Sequence, residues 1–391
     1  MHEKGLKKQE ILKLLNAKLK ADLSYDSGYI LGSMCTDAFS FGKEIYMDYL
    51  CKNLGDPGLF PGSAILEDEL IQDIGELFGG KNITGTFTTG GSEANIIAMR
   101  IARDIHPEIN SPEIVLPESA HYSFDKGAAM LGITLRKARL KRNFEVDLKH
   151  YESLINENTV GAVAVAGTTS LGLVDPIQRI GKLIDNKNIF FHVDAAFGGF
   201  VLPFLKRLNY DIPPWDFKVD AVDSITADPH KMGLGIIPSG GLFLREPKII
   251  KETGFEIPYL AGGNFKHLNI VGTRSGGTVI AFWAIEKYLG TEGFAKIVKN
   301  CMEITDYLAK EINNIGKIKL AAKPFMNVVG ITTENGTSIC ELEEALRARK
   351  WMLGKFTKFN LIRVVVMPHV KKDHISRFLS DLKKIVKKIN L

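Results

Sequence analysis

Five short stretches of this chain carry residue types that can do chemistry together. In Ser224-Ile-Thr-Ala-Asp-Pro-His-Lys-Met-Gly233 an apolar β-branched run stops at Asp228-Pro229 and delivers His230 and Lys231. A lysine is a poor nucleophile while protonated, but desolvation or a cationic neighbour lowers its pKa, and the free amine forms a Schiff base with a carbonyl. Gly90-Gly91-Ser92 breaks a β-branched run and opens a helix; its glycines let backbone amides approach an anion, the helix adds its positive dipole end, and Ser92 offers a hydroxyl, so the turn suits a phosphate. His121 follows the short apolar run Glu113 to Pro117, Thr169 follows Val160 to Ala166, and Asp194 follows Ile189 to Val193. A carboxylate at such a partly dry strand end needs a permanent cationic or hydrogen-bonding partner. Taken singly, each has an ordinary reading: a solvated lysine, a plain strand-to-helix turn, a satisfied loop histidine, a structural salt bridge. Their combination carries the argument.

The elements that must position these residues read as a strand-and-helix alternation. Ile83 to Thr89, Glu113 to Pro117, Val160 to Ala166, Ile189 to Val193 and Asp220 to Ala227 have strand character, with helices expected over Glu93 to Ile105, Phe124 to Leu131 and Pro176 to Lys187. The continuous apolar runs are those of strands buried on both faces of a parallel sheet. Ligands of a doubly wound sheet bind beyond the carboxyl ends of its strands. If the strands are parallel, the Gly-Gly-Ser turn, His121, Thr169, Asp194 and Lys231 gather along one edge. An anion cradle, an aromatic face, a hydroxyl, a buried acid and an amine match pyridoxal phosphate group by group.

The rest of the chain frames that core. Residues 6 to 21 carry leucines at helical spacing, which fits packing or an oligomer contact, and residues 24 to 64 read as loop and short helix able to cover a pocket. Glu67 to Phe78 is expected to be helical, Gly240 to Arg245 to return as a hairpin partner, and Glu256 to Val271 to form an irregular flap. A long helix is expected from Val279, then strands around Ile318 to Thr333, a helix over Ile339 to Lys350, a strand over Leu361 to Met367 and a last helix from Asp373 to Ile389. The organisation is therefore an α/β protein: an N-terminal segment (1–50), a large cofactor-binding domain (51–278) and a small α+β domain (279–391). Arg363, beside Val364-Val-Val-Met367, needs an anion or a route to solvent, and bidentate carboxylate binding is its best use.

Composition narrows the class. With 391 residues, 50 basic and 45 acidic, the formal charge is +5, and the cations are spread rather than gathered into the patch of a nucleic-acid-binding protein. Cys35, Cys51, Cys301 and Cys340 form neither a metal-ligand spacing nor a disulfide framework, so no metal is expected and a reducing cytoplasm fits. The first residues lack the apolar core of a signal peptide, and the longest apolar runs are too short to span a bilayer.

Thr88-Thr-Gly-Gly-Ser-Glu-Ala-Asn95, His192-Val-Asp-Ala-Ala-Phe-Gly-Gly199 and Ser224-Ile-Thr-Ala-Asp-Pro-His-Lys-Met232 together resemble the group II pyridoxal-phosphate amino-acid decarboxylases. Residues from about 20 to the end fit, with Gly32-Ser-Met-Cys35, Leu54-Gly-Asp-Pro-Gly-Leu-Phe60 and Arg363-Val-Val-Val-Met-Pro-His369 most like the archaeal members that act on L-tyrosine or L-aspartate. The resemblance implies an aspartate-aminotransferase-like, type I fold and a homodimer with sites at the subunit interface. It implies that Lys231 holds pyridoxal 5'-phosphate, Asp194 pairs with its ring nitrogen and His121 stacks on its ring. Gly91, Ser92 and His230 would hold the phosphate, with Thr273 reaching it from the other subunit. Thr169 would contact the ring and Arg363 would bind the substrate α-carboxylate; Tyr259 and His267 are the candidate proton donors to Cα. The expected reactions are tyrosine to tyramine, for methanofuran synthesis, and aspartate to β-alanine, for coenzyme A synthesis. The alternatives are a carbon-carbon lyase of the sphingosine-phosphate lyase type, with a similar lysine motif, and a catalytically silent dimeric scaffold, which would need none of Lys231, Asp194 and His121.

Overall fold

The apolar runs that end at Ala166 and Asp194 are strands buried at every position, as two-sided coverage of a parallel sheet demands. They lie near the middle of a seven-stranded sheet in the computed structural model, which describes residues 3–389. Its strands are β1 (Thr84–Thr88), β2 (Glu113–Pro117), β3 (Thr134–Ala138), β4 (Thr159–Val165), β5 (Phe190–Asp194), β6 (Ser224–Ala227) and β7 (Gly240–Leu244). Their spatial order is β1-β7-β6-β5-β4-β2-β3. From β6 to β3 neighbours are parallel, whereas β7 runs against both of its partners. Two successive reversals return β1 to the direction of β6. The carboxyl ends of β1, β2, β4, β5 and β6 therefore share one edge, which is the arrangement the site requires.

Two departures from the sequence reading concern this sheet. The expected strand over Asp220 to Ala227 is shorter, because Val219–Val222 make a turn first. Edge strand β3 escapes the sequence pattern because three of its five residues, Thr-Leu-Arg-Lys-Ala, are exposed and two are charged, as suits a sheet edge.

The expected irregular flap is instead a two-stranded antiparallel hairpin of β8 (Phe255–Leu260) and β9 (Gly263–His267). Both strands are largely solvent-exposed, so they lack the alternating apolar pattern by which a strand is recognised. The helix Gly276–Ile312 carries the chain onward, so the boundary expected between 278 and 279 lies in its first turn. Ser275 caps it by accepting from the Thr278 amide at 3.3 Å. Gly290 breaks it with φ 53° and ψ −175°, a conformation a side chain would resist.

The small sheet is antiparallel in the order β10-β11-β13-β12, built from β10 (Ile318–Leu320), β11 (Val328–Thr333), β12 (Gly354–Phe356) and β13 (Leu361–Val365). Within the segment read as loop and short helix, Ser40–Tyr49 is helical, and the helix expected from Glu67 already starts at Pro61. Residues 29–32 are stitched to the small sheet: Leu31 and Gly32 donate to the Met352 carbonyl at 3.0 and 2.7 Å, and Val365 donates to the Leu31 carbonyl at 2.7 Å. The N-terminal segment thus passes from the small sheet toward the carboxyl edge of the large one. Among the described residues no helix is long and apolar enough to cross a membrane.

Candidate active site

At that carboxyl edge lies a cavity of about 290 Å³, bordered by Gly91, Ser92, His121, Thr169, Asp194, His230 and Lys231. Seven residues chosen by type and strand-end position thus come from five separate stretches to one place. The turn after β1 supplies its floor. Gly90 has φ 147°, and a Cβ there would stand 3.1 Å from His230 Cε1; a Cβ on Gly91 would stand 3.0 Å from both Ala196 Cβ and Asp228 Oδ2. Only bare backbone fits, and the helix Gly91–Asp104 aims its N-terminus into the same space. Glu93 fixes the turn by accepting from the Thr89 amide and hydroxyl at 2.7 and 2.8 Å.

Asp194 closes β5. Its Oδ2 accepts from Asn95 Nδ2 at 2.9 Å and its Oδ1 from the Ala196 amide at 3.1 Å. The partner that a buried carboxylate needs is thus a carboxamide and an amide, with Lys231 and His121 in its field. His121 Nδ1 accepts from the Ser123 amide at 3.2 Å, which fixes the ring, and burial pushes the imidazole down from its ordinary pKa. His230 is likewise pushed down by burial, and its Nδ1 accepts from the Ser239 amide at 3.0 Å.

Lys231 departs from its expected electrostatics. Burial works to lower its pKa, as the sequence reading supposes, yet Asp228 and Asp194 outweigh burial and hold the ammonium above its ordinary value. The nearest charge is acidic: Asp228 Oδ2 is 3.0 Å from Lys231 Nζ. Asp228 itself is buried, and its Oδ1 has no hydrogen-bond partner.

Four residues expected at the site do not border the cavity. Thr273 is exposed on the loop before the helix Gly276–Ile312. Arg363, on β13, reaches the edge of the site: Nη1 donates to the Thr169 carbonyl and Nη2 to the Gly32 carbonyl at 2.5 Å, while its plane lies 5.2 Å over the Phe356 ring. It finds two carbonyls rather than an anion or solvent. Burial pushes its pKa down to about 10, and Nε is buried without a partner. Tyr259 is 84% exposed and, like His267, does not border the cavity.

The sequence reading missed Asp228, Asn95 and Met34 as lining residues. Asp228 had a readable signal, since it ends the same strand that delivers Lys231. Asn95 and Met34 stand within the motifs Thr88–Asn95 and Gly32–Cys35, but nothing local aims them at the cavity, which a helix face and a distant loop reach only through the fold.

These groups fit pyridoxal 5'-phosphate. A cradle that a Cβ would fill suits a phosphate, an amine faces it from the end of β6, a hydrogen-bonded carboxylate suits a protonated ring nitrogen, and a fixed imidazole can lie against the ring. Comparison with known proteins agrees. Residues 38–332 match the family described as pyridoxal-dependent decarboxylase conserved domain. The chain is 44% identical to a probable L-aspartate decarboxylase of Pyrococcus abyssi, over 98% of this chain and 99% of that protein. It is 41% identical to a probable L-tyrosine/L-aspartate decarboxylase of Methanosphaera stadtmanae, over 99% and 100%. Among solved structures, a sphingosine-1-phosphate lyase of Burkholderia pseudomallei superposes with a TM-score of 0.91 at 26% identity, covering 99% of this chain and 92% of that one.

Proposed function

This chain belongs to the pyridoxal-dependent decarboxylase family, and from that premise we propose that it releases the α-carboxylate of L-aspartate as carbon dioxide, leaving β-alanine, with L-tyrosine to tyramine as its second reaction. Amino-acid decarboxylation with pyridoxal 5'-phosphate is the family's chemistry; the order of substrates follows the names of the two relatives above. The observation that carries the reading is the meeting of Lys231, Asp194, His121 and the Gly90-Gly91-Ser92 turn at one cavity, with Arg363 tied to its rim through Thr169.

In this reading the cofactor, when bound, supplies an electron sink for the pair left on Cα as the carboxylate departs. Lys231 carries it covalently. Asp194 keeps a proton on its ring nitrogen by opposite charge, which the Asn95 and Ala196 donors sustain. His121 and Thr169 would hold the ring, and Gly91, Ser92 and His230 would bind the phosphate. Arg363 would take the substrate carboxylate and orient the bond to be broken. Thr273, Tyr259 and His267 lie away from their own cavity, so their roles toward phosphate and Cα require the partner subunit of a homodimer. Products formed in the cytoplasm would feed coenzyme A and methanofuran synthesis.

The second reading is a carbon-carbon lyase, favoured by the superposition on the sphingosine-1-phosphate lyase. Carbon dioxide release from a panel of L-amino acids, measured for the wild type and Lys231→Ala with cofactor supplied to both, separates the two. Release from aspartate or tyrosine that disappears in Lys231→Ala supports decarboxylation. A yellow protein that releases none, yet cleaves a phosphorylated amino alcohol to an aldehyde, would transfer the assignment to the lyase.

A further inference from the structure

Behind Asp194 three buried polar side chains form a line, of which the reaction as described above uses only the first, the Asn95 donor. Asn95 Nδ2 donates to Asp194 Oδ2 at 2.9 Å and Asn95 Oδ1 faces His192 Nε2 at 3.0 Å; His192 Nδ1 faces Ser224 Oγ at 2.8 Å. These residues come from the helix Gly91–Asp104, from β5 and from β6, and all are at most 2% exposed. The second Asn95 hydrogen goes to Ser123 Oγ at 3.0 Å.

The direction of every bond in the line follows from donor and acceptor chemistry. An ionised carboxylate only accepts, so Asn95 must present its NH2 to Asp194 and its carbonyl to His192. A carbonyl also only accepts, so His192 Nε2 carries the hydrogen. Burial pushes His192 down to about 4, so the ring is neutral near pH 7, Nδ1 is an acceptor, and the Ser224 hydroxyl donates to it. Ser224, His192 and Asn95 therefore point their hydrogens in sequence toward Asp194, and aligned bonds of this kind polarise one another.

We propose that Asn95, backed by His192 and Ser224, is a positioning residue that holds Asp194 ionised and in one rotamer, and so keeps the proton on the cofactor ring nitrogen rather than on the carboxylate. The proposal rests on the role given above to Asp194. Without the Asn95 donor, Asp194 keeps the Ala196 amide alone. Its carboxylate then competes better for the shared proton, and the electron sink weakens without any change at the substrate-binding groups.

The test is the ¹⁵N resonance of ring-labelled pyridoxal 5'-phosphate bound to the holoenzyme, compared among wild type, Asn95→Ala, Ser224→Ala and Asp194→Ala, with kcat and KM beside it. Asn95→Ala is expected to move the resonance toward the unprotonated position and to lower kcat by about tenfold to a hundredfold, the scale on which outer-shell partners act, with KM little changed. Ser224→Ala, at the far end, is expected to move both in the same direction by less. Should Asn95→Ala fail to fold, an unmoved resonance in Ser224→Ala overturns the proposal. A wild-type resonance in Asn95→Ala, with only the melting temperature lowered, makes the line structural. If Asp194→Ala leaves the resonance protonated, the underlying assignment of Asp194 fails instead, and the two failures are distinct.

Discussion

Lys231 Nζ stands 3.0 Å from Asp228 Oδ2, three residues back across the turn that ends β6. The amine proposed as the cofactor's anchor thus has a resident counter-ion. Because Asp228 and Asp194 raise its pKa against the effect of burial, less of it is free at a given pH. Asp228→Asn removes the nearer charge and keeps the shape. Borohydride trapping of pyridoxal 5'-phosphate on Lys231 should then reach half its maximum at lower pH than in the wild type. An unchanged midpoint would mean that Asp228 does not set the state of the amine.

Arg363 is expected to act in substrate binding rather than cofactor loading. Its fork spans the Thr169 and Gly32 carbonyls, and a lysine cannot span both while also meeting a carboxylate. Arg363→Lys should keep the cofactor's absorbance and lower kcat/KM for the decarboxylated amino acid by about a hundredfold, in the range of about 2–5 kcal/mol for breaking a buried hydrogen-bonded charge pair. Wild-type kcat/KM in that variant would remove Arg363 from the substrate site.

Arg274 joins the helix Pro61–Leu77 to the large sheet. Its guanidinium lies 2.6 Å from Glu67 Oε1 and donates to the Leu54 carbonyl at 2.9 Å, with both side chains 9% exposed. Arg274→Ala leaves Glu67 charged and buried. Denaturant unfolding should show a loss of about 3–5 kcal/mol, and a loss under about 1 kcal/mol would mean the pair is solvated or replaced.

Asp175 is buried, accepts from the Val165 amide at 2.7 Å, and burial raises its pKa from 3.8 to about 7. The folded chain therefore binds a proton more tightly than the unfolded one. The resulting stability is fully present below about pH 4 and is lost as pH rises through about 7. Asp175→Asn keeps the acceptor without the charge, so its stability relative to wild type should grow between pH 4 and 8, to roughly 4 kcal/mol at most. A flat difference across that range would show that Asp175 ionises freely. The comparison must be made as a difference, because His192, pushed down to about 4, gives the opposite slope between about pH 6.5 and 4.

Much of the site was legible because strand ends announce themselves. Apolar runs that stop at Gly90, Asp194 and Asp228-Pro229 are each followed by a group with chemical use, and one parallel sheet suffices to bring them together. What was misread depends on neighbours remote in sequence. The state of Lys231 turns on Asp194 as well as on its near neighbour Asp228, and the partners of Arg363 turn on where residues 32 and 169 meet β13. The hairpin β8–β9 and edge strand β3 were missed or misread because exposed strands need no apolar alternation.

Residue types and their order determined by themselves that this is an α/β chain with an amine, an acid, an imidazole and an anion-binding turn at separate strand ends. Those features are local: periodicity follows backbone geometry, and glycine turns follow steric freedom. Only the tertiary structure decided which donors face Asp194, that Asp194 joins Asp228 in acting on Lys231, and where the Arg363 fork is held. Hydrogen bonds and charge pairs act over a few ångströms, and residues as far apart as Asn95 and His192 become neighbours only when the sheet and its helices close around them.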